Sequence, residues 1–209
     1  EAKLVGTGLE KFVLRRGVGT AKRITLTFDD GPHPAYTPKL LDMLKAKGVK
    51  ASFFVIGHMA DKYPDLVKRA SREGHEIANH TYSHVTLTKI PPPEVEVEYQ
   101  ANNDVILRLT GKAARYCRPP GGDHNNEVLR RAGALGLTTV LWTDDPGDYN
   151  NPSDGILFGR ETKALSPGGI VLLHDGSRTT LDTLEAFIDA ARAEGYEFVS
   201  LDEIREGGS

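Results

Sequence analysis

The sequence predicts an α/β fold in which about seven parallel strands, interleaved with helices, curl into a closed or nearly closed barrel. A doubly wound open sheet is the alternative. Three observations carry the prediction. Strand-like and helix-like segments alternate along almost all of the 209 residues. The strand-like runs are continuously apolar, as expected where helices cover a parallel sheet. Unusual polar residues collect at the carboxyl ends of those runs, where parallel α/β folds gather their sites.

Each element has a local reason. "RITLTFD" (23–29) is β-branched and apolar. "TPKLLDMLKAKG" (37–48) has a helical period, with Thr37 as N-cap, Pro38 in the first turn and Gly48 as stop. "ASFFVIG" (51–57) is a strand, "DKYPDLVKRASREG" (61–74) a helix and "HEIANH" (75–80) a short strand. "PPPEVEVEYQANNDVILRLTG" (91–111) opens on prolines and then shows apolar residues at helical spacing. "ARYCRPPGG" (114–122) is a strand running into a proline-glycine break, and "NNEVLRRAGALG" (125–136) is a capped helix. "LTTVLWTDD" (137–145) is a strand ending in two carboxylates. "DGILFGRETKAL" (154–165) reads as a helix weakened by two glycines. "GGIVLLHD" (168–175) is a strand, "TLDTLEAFIDAARAEG" (180–195) a helix and "YEFVSLDEI" (196–204) the last strand.

The length suits one domain with a full hydrophobic core. A formal net charge of −3 and the lack of a basic run argue against nucleic acid and against an anionic membrane surface. Cys117 is the single cysteine, so an internal disulfide and a multi-cysteine zinc site are both excluded. No apolar run reaches membrane-spanning length. The first residues lack the apolar core of a signal peptide, which fits a cytoplasmic chain or the trimmed form of an exported one.

The polar strand ends are Asp29 and Asp30, His80 and His84, Arg118, the Asp144–Asp145–Asp148 group, and His174 with Asp175. "HTYSH" (80–84) spaces two imidazoles so that they can share a metal. With Asp30 they form a His₂Asp set, which leaves a position open for water, as in catalytic zinc sites. Zinc suits this mixture, and cobalt or nickel could replace it. The adjacent Asp29 is then placed to act as base toward the activated water. Arg118 can pair with Asp29 and keep it ionised. His174 can serve as general acid, with Asp145 as the carboxylate that orients it and raises its pKa. His33 lies beside this group, and His75 reads as a structural hydrogen-bonder.

The ordered set "TFDDGPHP", "HTYSH", "RPPGG", "WTDDPGDY" and "LLHD" resembles the polysaccharide deacetylases of carbohydrate esterase family 4, over about residues 22–203. The resemblance implies a distorted (β/α) barrel for residues 22–209, with residues 1–21 as an extension packed on it. It implies Asp29 as base, Asp30, His80 and His84 as ligands of a divalent metal, Arg118 as the orienting arginine, His174 as acid and Asp145 as its tuning aspartate. Leu172 would line the acetyl-methyl pocket. Pro120, Gly121 and Tyr149 would border the substrate, and the Gly121 N–H would serve the oxyanion. Two positions depart from the pattern. Gly121 stands where many relatives carry tyrosine, and Asp145-Pro-Gly-Asp148-Tyr149 stands where Asp-x-x-Asp-Trp is common.

The activity so implied is hydrolysis of N-acetyl groups from N-acetylglucosamine residues of chitin, chitooligosaccharide or peptidoglycan, releasing acetate. It would act outside the cell or at the wall, as a monomer. An O-acetyl xylan esterase and a small-molecule amidase share the chemistry. A silent sugar-binding barrel is the rival from another class.

Overall fold

The computed structural model describes residues 8–207. After a short 3₁₀ turn, β1 (Val13–Leu14) precedes β2 (Arg23–Gly31) and α1 (Thr37–Lys47). Then come β3 (Ser52–Val55), α2 (Gly57–Lys62), α3 (Pro64–Arg72), β4 (Glu76–Asn79) and α4 (Pro92–Thr110). β5 (Tyr116–Cys117), α5 (Asn126–Ala134), β6 (Thr138–Val140), α6 (Asp154–Lys163) and β7 (Gly169–His174) follow. The chain closes with α7 (Arg178–Ala193), β8 (Glu197–Phe198) and α8 (Leu201–Glu206).

The strand order is β1-β6-β5-β4-β3-β2-β7, with β8 on the first residues of β2, and every pairing is parallel. The sheet curls until the Asp144–Val171 bridge, with hydrogen bonds from Thr143 to Ile170 and from Leu172 to Asp144, ties the run beyond β6 to β7. The result is the distorted (β/α) barrel expected from the sequence.

β2 shows how the barrel is filled. Ile24, Leu26 and Phe28 belong to the apolar layer shared with the helices, beside Leu41, Leu44 and Phe187. The alternate residues Thr25, Thr27 and Asp29 are equally buried but polar. A strand's two faces alternate, so these three line the barrel interior. Phe54, Ala78, Tyr116, Val140 and Ile170 form a second, smaller apolar cluster with residues of β1 and α8.

Three local expectations are revised. The helix expected over 61–74 is two, because Tyr63 takes φ −127°, ψ 57° ahead of Pro64, and the residue before proline avoids the helical region. Thr37 begins α1 but does not cap it; its hydroxyl donates to Asp175 Oδ2 at 2.6 Å and accepts from the His33 N–H at 2.7 Å. The last strand is only two residues long. Ser200 and Glu203 form a reciprocal capping box that starts α8 instead. β1, inside the region read as an extension, pairs with β6 at Val13–Thr139 and Leu14–Val140. α6 forms despite Gly155 and Gly159, since both face open space while Leu157 and Glu161 are fully buried.

Glu161 is an unusual helix residue to bury. Thr183 on α7 donates weakly to its Oε1 at 3.4 Å, and its other oxygen has no protein partner. Burial pushes its carboxyl up to about 8, against the Thr183 hydrogen bond and with help from Asp148 and Asp144. A carboxyl raised in the folded state contributes stability that is complete below the ordinary carboxylate range and is lost as pH rises through about 8. Glu161→Gln, neutral and of equal size, is expected to flatten this loss between pH 5 and 9. Denaturant titrations across that range would show the variant more stable than the parent at the alkaline end.

Candidate active site

The site lies at the carboxyl ends of the strands, in a cleft of about 390 Å³. Its organising group is inside the barrel. Arg118 follows β5 and is 0% exposed. Its Nη1 donates to Asp29 Oδ1 at 2.6 Å and to Thr27 Oγ1 at 3.0 Å, and its Nε donates to the Val140 carbonyl at 3.0 Å. Its guanidinium carbon lies 4.2 Å from the Phe54 ring centre and 5.5 Å from that of Trp142. Burial disfavours the guanidinium charge and Asp29 opposes that effect.

Asp29 and Asp30 serve one centre because β2 carries a bulge. Asp29 pairs with Phe54 and Gly31 with Val55, so Asp30 is the extra residue. It takes φ 70°, the left-handed region, and a bulge of this kind re-aims a side chain. His84 also has positive φ, at 56°, and Thr81 before it, at 64°. Backbone held in this region by non-glycine residues costs free energy and clusters at functional sites.

Asp30, His80 and His84 offer donor atoms that all lie within 4.8 Å of one another. Asp30 Oδ1 is 3.3 Å from His80 Nε2 and 3.0 Å from His84 Nε2. His80 Nδ1–H donates to the Arg118 carbonyl at 2.7 Å, which fixes the ring orientation in the manner typical of metal-ligating histidines. In the neutral ring the Nε2 lone pair therefore faces Asp30 Oδ1 and, at 3.7 Å, Asp29 Oδ2. Only a positive charge, a proton or a cation, reconciles acceptors at these distances. The proton equilibria show the same pull. Burial works to raise Asp30, yet hydrogen bonds from His80 and His84 hold it far below the carboxylate range, and Asp30 pushes His84 up. The donor set fits a divalent cation of the zinc type.

His174, at the end of β7, sits in register with Asp29 on the adjacent strand. Its carboxylate partner is Asp148, which corrects the assignment of Asp145. Asp148 Oδ1 accepts from His174 Nδ1–H at 2.7 Å, and Oδ2 accepts from the His174 backbone N–H at 2.7 Å and from Thr180 Oγ1 at 2.5 Å. Burial opposes protonation of His174, but the Asp148 hydrogen bond and charge outweigh it and raise the imidazole. Asp145 instead accepts from the Gly147 N–H at 3.0 Å and is exposed at the cleft rim. The reason is local. Gly147 adopts φ 74°, which turns the chain back so that the residue after it, not the one two before it, faces β7.

The remaining expected residues separate. Gly121, Leu172 and Tyr149 line the cleft. Leu172 is 4% exposed at its floor, whereas Tyr149 is 54% exposed with its ring edge-on to His174. Gly121 has φ 62°, and nothing lies within 4 Å of where its Cβ would be, so this wall is open. Pro120 is buried in the preceding turn and does not line the cleft. His33 stays in its loop, its ring tilted against Tyr36 with Nδ1 accepting from the Ala35 N–H, and His75 Nδ1 accepts from the Ala51 N–H. Trp142, to which the sequence pattern assigns no role, is a wall of the cleft. Gly122 makes room for it, since a Cβ there would lie 2.5 Å from the indole.

A curled (β/α) barrel with a His₂Asp set, a buried Arg–Asp pair and an Asp–His pair at its strand ends defines a barrel protein with a set of residues able to hold a metal ion. The polysaccharide deacetylase profile matches residues 16–140. The chain is 38% identical over 185 residues to the peptidoglycan-N-acetylglucosamine deacetylase PgdA of Listeria monocytogenes, covering 88% of this chain and 39% of that protein. It therefore spans about two fifths of that relative's length. It is 37% identical over 187 residues to the peptidoglycan-N-acetylmuramic acid deacetylase PdaA of Bacillus subtilis, covering 88% of this chain and 71% of the other. The Bc1960 peptidoglycan N-acetylglucosamine deacetylase superposes with a TM-score of 0.92 at 33% identity, over 98% of this chain and 97% of that one. The chain belongs to the polysaccharide deacetylase family.

Removing one member of a buried ion pair leaves the other charge uncompensated. Arg118→Met is expected to cost roughly 3–5 kcal/mol in denaturant unfolding. Adding Asp29→Leu to that variant should restore part of the loss.

Proposed function

We propose that the chain is a metal-dependent hydrolase that removes N-acetyl groups from N-acetylglucosamine residues of a polysaccharide, either chitin-type or peptidoglycan, releasing acetate. The observation that carries this reading is the convergence of Asp29 Oδ2 and Asp30 Oδ1 on His80 Nε2, with the other Asp29 oxygen tied to Arg118. Two neighbouring carboxylates thereby have different partners and different tasks.

Asp30, His80 and His84 would hold the metal, zinc first and cobalt or nickel as substitutes. A divalent ion in such a site supplies Lewis-acid polarisation of the amide carbonyl and lowers the pKa of its water. Asp29, held by Arg118 through Oδ1, accepts the proton of the attacking water at Oδ2. The Gly121 N–H donates to the oxygen that becomes negative as the carbonyl carbon turns tetrahedral. His174, with Nδ1 engaged by Asp148, delivers a proton from Nε2 to the departing amine. Leu172 packs against the acetyl methyl, and Trp142 and Tyr149 flank the sugar. Residues 22–209 carry this chemistry, and the preceding segment supports the barrel through β1. The substrate places the protein outside the cell or at the wall.

Acetate release from an acetylated chitooligosaccharide or from peptidoglycan, with zinc or cobalt supplied, tests the reading. Chelation should abolish it and metal should restore it. No release from either substrate with metal present would refute it. Asp29→Asn is expected to lower kcat by about 10²–10⁴ while metal binding by calorimetry and KM stay near the parent values. Asp148→Asn should also lower kcat, by about 10²–10³, because the His174 proton loses its support.

A further inference from the structure

We propose that Glu98 on α4 is a positioning residue for the metal: it fixes the backbone that joins His80 to His84. The inference rests on the metal reading of Asp30, His80 and His84 above. It adds to that reading a residue outside all the motifs that carry it.

Two ligands four residues apart share an ion only if the chain between them is held. Here that chain is neither helix nor strand, so no ladder or helical hydrogen bonds hold it. Thr81 and His84 both take positive φ, a conformation that non-glycine residues keep only when their surroundings enforce it. His80 is anchored twice, by its Nδ1–H on the Arg118 carbonyl and by its backbone N–H on the Val55 carbonyl at 3.0 Å. The exposed His84 ring has no anchor of that kind among the described residues. Its position follows from its backbone.

The N–H groups from Thr81 to His84 are all taken by side chains. The Thr81 N–H donates to Asn79 Oδ1 at 2.8 Å, and the His84 N–H donates to Thr81 Oγ1 at 3.1 Å. The two between them, of Tyr82 and Ser83, both donate to Glu98 Oε2, at 2.9 and 2.8 Å. The carbonyls are held from elsewhere. That of Thr81 accepts from the Gly57 N–H and from Asn102 Nδ2, both at 2.9 Å, and that of Tyr82 accepts from the His58 N–H at 3.1 Å. Gly57 permits this approach, since a Cβ there would lie 2.5 Å from the Tyr82 ring.

Within this set the Asn79 and Thr81 bonds are local to the segment. Glu98 alone ties its N–H groups to a distant element, and it does so at the two residues directly before His84. A carboxylate that accepts backbone N–H groups makes charge-assisted bonds, stronger than neutral ones. Without it, two successive donors lose their partner, and the turn that aims His84 at Asp30 loses its hold on α4. Groups that orient ligands from outside the ligand set contribute to metal affinity.

The test measures zinc affinity of the metal-free chain by calorimetry, with the visible absorption of the cobalt-loaded chain as a report on ligand geometry. Glu98→Ala keeps the helical propensity of α4. It should weaken zinc about tenfold, the lower end of what such outer contacts contribute, and should alter the cobalt spectrum. Glu98→Gln should recover most of the affinity, because an amide oxygen accepts the same two N–H groups. Val105→Ala, in the apolar layer of the same helix, is the control: it should lower denaturant stability and leave zinc affinity unchanged. Unchanged affinity in Glu98→Ala would overturn the proposal, as would a loss that Val105→Ala reproduces or that Glu98→Gln does not recover. A parent chain that binds neither zinc nor cobalt would overturn the metal reading itself, and this proposal with it.

Discussion

The Arg118 guanidinium inside the barrel is the constraint on which the site depends. A charge taken wholly from water is tolerable only with full hydrogen bonding and a paired counterion. Thr27, Asp29 and the Val140 carbonyl satisfy it, and the Phe54 face covers it. Three strands are thereby held to one group: β2 through Thr27 and Asp29, the end of β5 through Arg118 itself, and β6 through Val140. The Arg118 carbonyl also receives the His80 Nδ1–H. A single residue thus holds one carboxylate and the orientation of one imidazole. The inward face of β2 is polar for this reason, in a strand otherwise built for an apolar layer.

The bulge at Asp30 solves a problem of periodicity. Consecutive strand residues point to opposite faces, so an undistorted β2 would send Asp29 and Asp30 apart. An extra residue in the left-handed region brings both into one cleft. The strain falls on Asp30 and His84, the residues at the proposed metal position. Asp29 keeps regular strand pairing with both neighbours, in register with His174. The two residues proposed to move protons therefore stand on adjacent, regularly paired strands.

Much of this was legible in the sequence, and the exceptions have physical causes. Seven apolar runs marked the strands because a covered parallel sheet needs no polar face. Asp30, His80 and His84 were recognisable because strand ends converge in such folds. Asp148 was missed because Asp145 lies nearer the end of its strand, and only the positive φ of Gly147 decides which of them faces β7. That glycine, between two aspartates and after a proline, was the available signal. Trp142 carries no signal of its own in the sequence, since its place follows from the absent side chain of Gly122, a long-range fit. β1 is two residues long, too short for any pattern to reveal. The split of the second helix and the start of α8 were readable in hindsight from Tyr63-Pro64 and from the Ser200–Glu203 spacing.

The barrel closes where the run beyond β6 meets β7, at the Asp144–Val171 bridge and the hydrogen bonds around it. This seam runs between the wall that carries Trp142 and Asp145 and the wall that carries Leu172 and His174. Asp29 and His174 both lie on the β7 side, locked by the longest ladder in the sheet. The seam is short but well tied, since the Thr143 N–H and hydroxyl bond Ile170 and the Leu172 N–H donates to the Asp144 carbonyl. One strand, β7, therefore anchors both walls of the cleft, and the two sides share a single ruler.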